Sequence, residues 1–432
     1  MKLRKILFVY PRFQRHAEAH PELKQWVPMN EYLGSPSLGI ATMAAVTPDD
    51  VQVEFRDDRL TPADRPTDAD VVCFSFFTPA ATRAFELAAY FRAQGKTLIC
   101  GGIFPTMMPE ECAPHFDAVV MGEGEPVWPQ VLADLRAGKL QPRYKAATPQ
   151  ALNGLPLPRV DLYLDKEEGA FQPDDYPVQL TRGCPLNCAA CVLPVSMTTS
   201  MREFELDHVV GQLEQLARRG KRACLTEDTS WFPGSAVKGL KALFERIVAR
   251  GAPATISYVG ISMPMILASS NETLKLAKRA GVDMFYLVGG FDPVTKGAFT
   301  KDNPKQLQRA YDAIKKSLDA GIVPYTSFLL GNEDDDLGTV DRMLEFASRS
   351  GITKAEFAIF TPYPGTPSWK KLVAEDRIID RTWARYNDAN CVFLPKHFTP
   401  QQLTEGYLRL WREFYAGKSF AHTTQAERTI QF

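Results

Sequence analysis

The chain has 432 residues, enough for two or three domains, and its 45% hydrophobic and 23% charged residues are the balance of a globular protein with a buried core. The chain has 50 basic and 51 acidic residues, and the basic residues form no stripe, which argues against a nucleic-acid partner. The apolar run 6–10 is too short for a signal peptide, and the uncharged stretch 251–271 is interrupted by Pro253 and Pro264. We therefore expect a cytoplasmic protein without an integral membrane segment.

Short apolar runs rich in Val, Ile and Phe alternate with helical patterns over the first 150 residues. The runs, typical of buried parallel strands, are 5–10, 51–55, 70–76, 96–100 and 117–122. Their alternation with helical patterns such as 82–95 predicts βαβ units in a doubly wound, Rossmann-type sheet. Ligands of such sheets bind beyond the carboxyl ends of the strands, where Ser75, Gly101, Gly102 and the run 122–125 lie. The glycines alone are equally compatible with ordinary turns.

A Pro-rich, polar passage over 153–177 is interpreted as an interdomain linker on the surface. After it, six strand-like runs alternate with helical patterns, which predicts a partial (β/α)6 barrel of TIM type with its chemistry at the carboxyl ends of the strands. The chain then becomes helical and aromatic, which indicates a C-terminal helical cap. The predicted class is therefore α/β, with the divisions 1–150 (Rossmann domain), 151–175 (linker), 176–375 (partial barrel) and 376–432 (helical region).

Three of the eight cysteines, Cys184, Cys188 and Cys191, directly follow the strand-like run 178–182. Thiolates bind zinc or iron–sulfur clusters, and a [4Fe–4S] cube ordinarily takes four of them. Three thiolates without a fourth ligand nearby would leave one iron open to an exogenous molecule, which suits chemistry on that molecule. A zinc knuckle would need a fourth ligand, and the nearest histidine, His208, lies downstream in a helical pattern.

The spacing C-x3-C-x2-C at the end of the first barrel strand resembles that of the radical S-adenosylmethionine (SAM) superfamily. The domain order and the segments 360–369 and 381–416 are similar to the subgroup with a cobalamin-binding domain, which includes hopanoid methylases. The resemblance implies a [4Fe–4S] cluster on Cys184, Cys188 and Cys191, as metal ligands and catalytic residues, with SAM on the open iron. It also implies a small-molecule substrate and a reducing partner such as flavodoxin or ferredoxin.

The same resemblance implies further SAM contacts at the strand ends. Glu227 and Asp228 fall where relatives carry an acidic pair, although a helix N-cap would explain them too. The run 333–336 is likewise compatible with a solvated turn. Two departures, Ala190 in place of an aromatic residue and Asp292 in place of a glutamate, leave open which C–S bond of SAM breaks. The candidate SAM contacts are Glu227, Asp228, Gly289, Gly290, Asp292, Gly331, Glu333, Thr361 and Tyr363.

Cobalamin is a further cofactor that the resemblance implies. Ser75, Gly101 and Gly102 match positions that accommodate its nucleotide tail, but the Asp-x-His-x-x-Gly signature of the lower-ligand histidine is absent. Because relatives without that histidine still bind cobalamin, its presence stays open at the level of sequence.

The resemblance favours transfer of a methyl group from SAM, by way of cobalamin, to an acceptor. One alternative is transfer of the 3-amino-3-carboxypropyl group to trivalent arsenic or another acceptor, as in arsinothricin biosynthesis, with Cys224 as a conceivable arsenic ligand. A buried core thiol is the simpler interpretation of Cys224, as of Cys73 and Cys100. A non-catalytic cluster or cobalamin sensor and a zinc-stabilised scaffold are also compatible with the sequence. The stretch 258–270 is compatible with a cavity lining or with barrel core, and its Met263 and Met265 with packing.

Overall fold

The computed structural model describes residues 2–14, 19–23, 26, 37–164, 175–226, 235–288, 299 and 303–417. Two parallel six-stranded sheets, covered by helices, form the framework of the chain. The prediction of an α/β protein with a doubly wound first sheet and a partial barrel is confirmed.

The strands of the first sheet are β1 (Lys5–Tyr10), β2 (Gln52–Asp57), β3 (Val71–Ser75), β4 (Thr97–Gly101), β5 (Ala118–Met121) and β6 (Arg143–Lys145). They run parallel in the order β2–β1–β3–β4–β5–β6, so the direction of winding reverses between β1 and β3. A crevice for ligands opens at the carboxyl ends of the strands beside such a switch point. The accompanying helices are α1 (Leu38–Ala45), α2 (Ala81–Ala93), α3 (Ile103–Met107), α4 (Pro109–Cys112), α5 (Trp128–Ala137) and α6 (Asp161–Leu164).

Both faces of the first sheet are buried, which explains why its strands are continuous apolar runs. Ile6 and Phe8 of β1 belong to the larger hydrophobic core, whereas the alternate residues Leu7 and Val9 pack into the core that contains α2. The buried residues of α2 recur every three or four positions, so one face of this helix covers the sheet.

The second sheet begins at β7 (Asp175–Gln179), which is followed by a short hairpin of β8 (Thr181–Arg182) and β9 (Arg202–Glu203). Its other strands are β10 (Arg222–Thr226), β11 (Ile256–Ile261), β12 (Val282–Val288), β13 (Val323–Leu330) and β14 (Lys354–Ile359). They run parallel in the order β14–β13–β12–β11–β10–β7, with β7 and β14 at the two edges, so the sheet is an open partial barrel. The helices are α7 (Leu193–Ser196), α8 (Leu206–Ala217), α9 (Ser235–Ala249), α10 (Met263–Ala268), α11 (Asn271–Arg279), α12 (Pro304–Asp319), α13 (Thr339–Arg349), α14 (Pro367–Ala374) and α15 (Pro400–Tyr415).

The two faces of the second sheet differ in chemistry. Phe357 of β14 packs edge-on against Trp411 of α15, with ring centroids 5.4 Å apart, so this face lies under the helices. Its neighbour Glu356 faces the opposite way. There the hydroxyls of Tyr286 and Tyr325 donate to its carboxylate at 3.1 and 3.2 Å. The concave face of the partial barrel is therefore polar, while its convex face is apolar core.

The passage between the sheets is not purely a surface linker. Leu162 and Tyr163 of α6 are 7% and 3% exposed, and the ring of Tyr163 stacks on Tyr176 of β7 with centroids 5.7 Å apart. The interpretation of 153–177 as a surface segment is therefore wrong for α6. The polar residues around Leu162 and Tyr163 made the whole passage look like a surface segment. Residues 165–174 lie outside the described residues.

The C-terminal part of the described chain confirms the predicted helical cap. The side chain of Thr399 accepts from the backbone N–H of Gln402, and the Gln402 side chain accepts from the backbone N–H of Thr399, which fixes the start of α15. Within the residues that the structure describes, no helix has the length and apolar character needed to span a bilayer.

Candidate active site

The loop with the three cysteines begins at the β8–β9 hairpin. The backbone N–H of Cys184 donates to the carbonyl oxygen of Thr198 at 3.0 Å, which ties the loop to the opposite arm of the hairpin. Gly183 has a φ of +85°, and a Cβ at this position would overlap the backbone of Ser200. Glycine is therefore required before the first cysteine by the backbone conformation and by the close approach of the two arms.

The three thiols lie at the carboxyl end of the first strand of the partial barrel, as predicted. Cys184 is 4% exposed, while Cys188 and Cys191 are half-buried. The backbone N–H of Ser368, in the first turn of α14, donates to the carbonyl oxygen of Ala189 at 3.0 Å. The middle of the cysteine loop is thus held by a helix from the far end of the barrel.

The donor set of the loop consists of three thiols. In the described part of the chain, no three His, Cys, Asp or Glu side chains converge to hold one metal ion. His208 lies in α8 with its ring stacked on Phe204, centroids 4.8 Å apart, and burial followed by the charge of Arg182 lowers its pKa. A [4Fe–4S] cube binds each thiolate to a different iron, so its ligands need not converge. Three thiols on one loop suit such a cube with one iron left for an exogenous ligand.

A buried ion cluster, formed by Glu123, Glu125, Arg182 and Arg202, joins this loop to the first sheet. Nη1 of Arg182 lies 2.7 Å from Oε1 of Glu125 and 3.3 Å from Oε1 of Glu123. Nε of Arg182 donates to Gln179 at 3.0 Å, and Nη1 of Arg202 lies 2.9 Å from Oε2 of Glu123. Burial lowers the pKa of Arg182, but the charges and hydrogen bonds of Glu125 and Glu123 outweigh it, so the pKa is raised.

The position of the ion cluster gives it a role in assembling the site. Glu123 and Glu125 directly follow β5, whereas Arg182 stands two residues before Cys184. The three side chains are at most 8% exposed, so their charges interact in a poorly solvated environment. The strand ends of the first sheet and the start of the cysteine loop are therefore held in one arrangement.

A cavity of about 490 Å³ lies at the carboxyl ends of the strands of the first sheet. Ser75, Gly101 and Gly102, predicted from sequence to accommodate a nucleotide tail, all line it. Tyr258 of β11 and the ion-cluster residue Arg182 contribute from the side of the partial barrel. The cavity therefore lies between the two sheets, with the ion cluster in its wall, and has the size of a cofactor site.

The floor of this cavity depends on the absence of two side chains. Gly102 has a φ of +100°, and a Cβ there would lie 2.8 Å from the carbonyl oxygen of Phe76 and 3.2 Å from Oγ of Ser75. A Cβ on Gly101 would approach the carbonyl oxygen of Val120 to 3.4 Å. Glycine is therefore needed here for the close packing of the strand ends that line the cavity.

Several predicted SAM contacts cannot be placed. Glu227, Asp228, Gly289, Gly290 and Asp292 lie outside the described residues.

Gly331 and Glu333 follow β13 but have different environments. Gly331 is buried with a φ of +104°, and its N–H donates to Oδ2 of Asp335 at 2.8 Å. Glu333 is 45% exposed and forms ion pairs with Lys371 at 2.6 Å and Arg377 at 3.1 Å. The structure therefore does not bring Glu333 into the site, and the solvated-turn interpretation holds for it.

Thr361 and Tyr363 lie just beyond β14. Thr361 is 4% exposed and its hydroxyl donates to the carbonyl oxygen of Ile359 at 3.2 Å. The hydroxyl of Tyr363 donates to Oδ1 of Asp388 at 2.8 Å. Tyr363 also lines a second cavity, which touches Val192, the residue after the third cysteine.

The simple interpretations of the remaining cysteines and methionines are confirmed. Cys73, Cys100 and Cys224 are 4%, 1% and 0% exposed, and burial raises the pKa of Cys73 and Cys100. Met263 and Met265 are each 1% exposed in the core beneath α10.

Sequence reasoning missed Asp335 and the partners of Arg182. Asp335 is 5% exposed and accepts from the backbone N–H groups of Gly331 and Asn332, both at 2.8 Å. Burial raises its pKa to about 6. The glycine–acidic pattern at 122–125 is visible in the sequence, but nothing local indicates that its carboxylates pair with an arginine 57 residues later.

Comparison with known proteins agrees with this architecture. A family model described as B12 binding domain matches residues 35–132. The bacteriochlorophyllide d C-12(1)-methyltransferase of Chlorobaculum tepidum is 27% identical over 83% of this chain and 77% of its own. The hopanoid C-2 methylase of Rhodopseudomonas palustris is 21% identical over 87% of this chain and 71% of its own.

Solved structures show the same fold. The radical SAM methyltransferase TsrM of Kitasatospora setae, with tryptophan and a SAM analogue bound, matches with a TM-score of 0.65 and 16% identity over 86% of this chain and 76% of its own. With cobalamin and a [4Fe–4S] cluster bound, the same protein matches with a TM-score of 0.62.

The cysteine loop on an open parallel barrel and these likenesses together support the resemblance of the chain to radical SAM enzymes. The B12-binding match over the first sheet narrows this class further. The chain is therefore similar to the radical SAM enzymes that carry a cobalamin-binding domain.

Proposed function

We propose that the protein transfers a methyl group from SAM to a small-molecule acceptor, with a [4Fe–4S] cluster on Cys184, Cys188 and Cys191 and cobalamin in the cavity of about 490 Å³. The observation that carries the proposal is the buried contact of Arg182 with Glu125. It places the start of the cluster loop against the wall of the cobalamin cavity, as a reaction that uses both cofactors requires.

The residues of this chain have distinct tasks in such a reaction. The three thiolates hold the cluster, Gly101 and Gly102 leave room for the tail of cobalamin, and the ion cluster fixes the two regions relative to each other. When bound, the cluster supplies single electrons and cobalamin carries the methyl group. Buried apolar side chains such as Met263 exclude water behind the barrel strands.

The names of the relatives support this proposal. The Chlorobaculum protein is named as a methyltransferase of a bacteriochlorophyllide, and TsrM is a methyltransferase whose structure holds tryptophan. Both names point to a small organic acceptor for the present chain.

Transfer of the 3-amino-3-carboxypropyl group to arsenic is less well supported. It would use Cys224 as a soft ligand, but this thiol is 0% exposed in β10. None of the relatives compared above has a name that refers to arsenic or to this group.

The partner and the setting follow from the chemistry. The cluster needs an electron donor, for which flavodoxin or ferredoxin is the proposed class. Thiols kept reduced and an oxygen-sensitive cluster suit the cytoplasm. We further propose the domain division 1–150, 151–175, 176–375 and 376–432, in which α6 packs with the core although it belongs to the connecting segment.

The test is the fate of SAM. The protein is reconstituted without oxygen, supplied with hydroxocobalamin, SAM and dithionite, and the nucleoside products are identified by mass spectrometry. We expect S-adenosylhomocysteine, because loss of the methyl group leaves that molecule, and its formation should require cobalamin. A product of 5′-methylthioadenosine would instead mean 3-amino-3-carboxypropyl transfer, and a chain that leaves SAM intact would favour the sensor.

A further inference from the structure

A second cavity, of about 270 Å³, lies where three parts of the molecule meet. Phe77 and Pro79 follow β3 of the cobalamin-binding region, and Ile103 follows β4. Val192 directly follows the last cluster cysteine. We call this cavity the acceptor chamber, because it lies between the cobalamin-binding region and the cysteine loop.

The wall opposite these apolar residues is polar. Asp388 and Tyr363 line it, and the hydroxyl of Tyr363 donates to Oδ1 of Asp388 at 2.8 Å. Both side chains belong to half-buried residues. Thr78 and Asn387 also line the cavity, so Asp388 is the one charged group in a lining that is otherwise neutral.

The backbone presents Asp388 in an uncommon conformation. Asp388 has a φ of +64°, in the left-handed region that few non-glycine residues adopt. Its carbonyl oxygen accepts from the N–H of Ile359 at 2.7 Å. The adjacent Asn387 is 2% exposed and its Oδ1 accepts from the side chain of Asn390 at 2.7 Å. The turn is thus rigidly built, and such backbone outliers concentrate at binding sites.

The charge of Asp388 has no basic partner in the described part of the chain, where no lysine, arginine or histidine forms an ion pair with it. A carboxylate has about four acceptor positions, and the phenol of Tyr363 uses one. A partly buried carboxylate is stabilised by a cation or by further N–H donors. A cationic ligand in the cavity would supply such a partner.

We propose that the acceptor chamber binds the acceptor substrate, and that this acceptor has an apolar body and a protonated amine that pairs with Asp388. That the bound molecule is the acceptor rests on the proposed methyl transfer. Its binding in the chamber does not require turnover. Phe77, Pro79, Ile103 and Val192 enclose the apolar body, and the Tyr363–Asp388 pair orients the amine.

The test compares three probes of one shape and different charge: phenethylamine, 2-phenylethanol and 3-phenylpropanoate. Calorimetric titration uses the full-length protein with its cluster, with and without hydroxocobalamin. We expect phenethylamine to bind about tenfold more tightly than the alcohol, which corresponds to about 1.4 kcal/mol, and the anion to bind most weakly. Failure of all three to bind, or equal binding of the three, overturns the proposal.

The variant Asp388→Asn removes the charge and keeps a residue that tolerates the left-handed conformation. It should abolish the preference for phenethylamine over the alcohol, and a preference that survives overturns the proposal. Asp376→Asn is the matched control, because Asp376 also has a positive φ, +52°, and is exposed outside the acceptor chamber. Retained cluster absorption verifies that each variant is folded.

Titration of the cobalamin-loaded protein tests this inference separately from the proposed function. Displacement of phenethylamine by hydroxocobalamin would assign the chamber to the corrin ring and overturn the inference. If the amine binds with the expected preference but cobalamin does not support formation of S-adenosylhomocysteine, the proposed function fails while the amine site stands.

Discussion

Nη1 of Arg182 lies 2.7 Å from Oε1 of Glu125, so the residue pair joins the start of the cluster loop to the end of a strand in the cobalamin-binding region. The contact is buried and charged on both sides, which makes the loss of one partner costly. The relationship also means that the two cofactor regions cannot shift independently of each other.

Arg182→Gln is expected to leave Glu125 buried without its cation and Glu123 paired with Arg202 alone. We expect a loss of about 3–5 kcal/mol in the free energy of unfolding, measured by urea denaturation of the reconstituted protein. The double variant Arg182→Gln, Glu125→Gln should recover part of this loss. Arg246→Gln is the control, because Arg246 pairs with Asp207 on the surface and such pairs contribute about 0–1 kcal/mol. Equal effects of the two arginine variants would contradict the role of the ion cluster.

Gly102→Ala is expected to weaken cobalamin binding about tenfold or more. The new Cβ would lie 2.8 Å from the carbonyl oxygen of Phe76, so the strand ends that line the cavity would have to shift, and overpacking of this kind costs about 1–3 kcal/mol. Binding is measured by the absorption of retained cobalamin after desalting. Gly138→Ala controls for backbone strain, since Gly138 has a φ of +67° but no atom within 4 Å of its added Cβ. The prediction is wrong if the two variants retain cobalamin equally.

Cys188→Ala is expected to abolish both the visible absorption of the cluster and the consumption of SAM. Two thiolates hold the cube too weakly to keep it assembled through purification. Cys112→Ala, at a buried cysteine of α4, is the control and should retain the absorption. A Cys188 variant with unchanged absorption and turnover would remove this residue from the cluster.

Asp335→Asn is expected to change the pH dependence of stability. Burial raises the pKa of Asp335 from 3.8 to about 6, so the folded chain holds this proton to a higher pH than the unfolded chain does. Its contribution is fully favourable below pH 4 and declines as the pH rises to 6, by about 3 kcal/mol. Asparagine can accept the same backbone N–H groups without a charge. The variant should therefore gain stability over the native chain between pH 4 and pH 7.

The measurement is urea unfolding of the native and variant chains at these two pH values. Asp334→Asn, at the exposed neighbouring residue, is the control for the loss of one negative charge. A difference between native and Asp335→Asn chains that stays constant with pH would contradict the prediction.

The strands and the cysteine loop could be predicted because their signals are local. A buried parallel strand needs a continuous apolar run, and the three cysteines lie close together in the chain. Asp335 and Glu333 could not be told apart, because three consecutive aspartates follow a glutamate and only the turn decides which of them faces inward. Asp388 could not be identified from the sequence either, because its role depends on Tyr363 and on a backbone conformation. The sequence Asn-Asp-Ala-Asn does not specify that conformation.

The hydrogen bond from Ser368 to Ala189 has a consequence for biosynthesis. The ribosome makes Ser368 long after the cysteines have emerged, so the middle of their loop lacks one of its supports during most of translation. The hydrogen bond can form only after α14 has docked. Iron and sulfide would then be delivered to a finished polypeptide and not to a growing one, and a truncated product that ends before α14 would be poorly prepared to receive them.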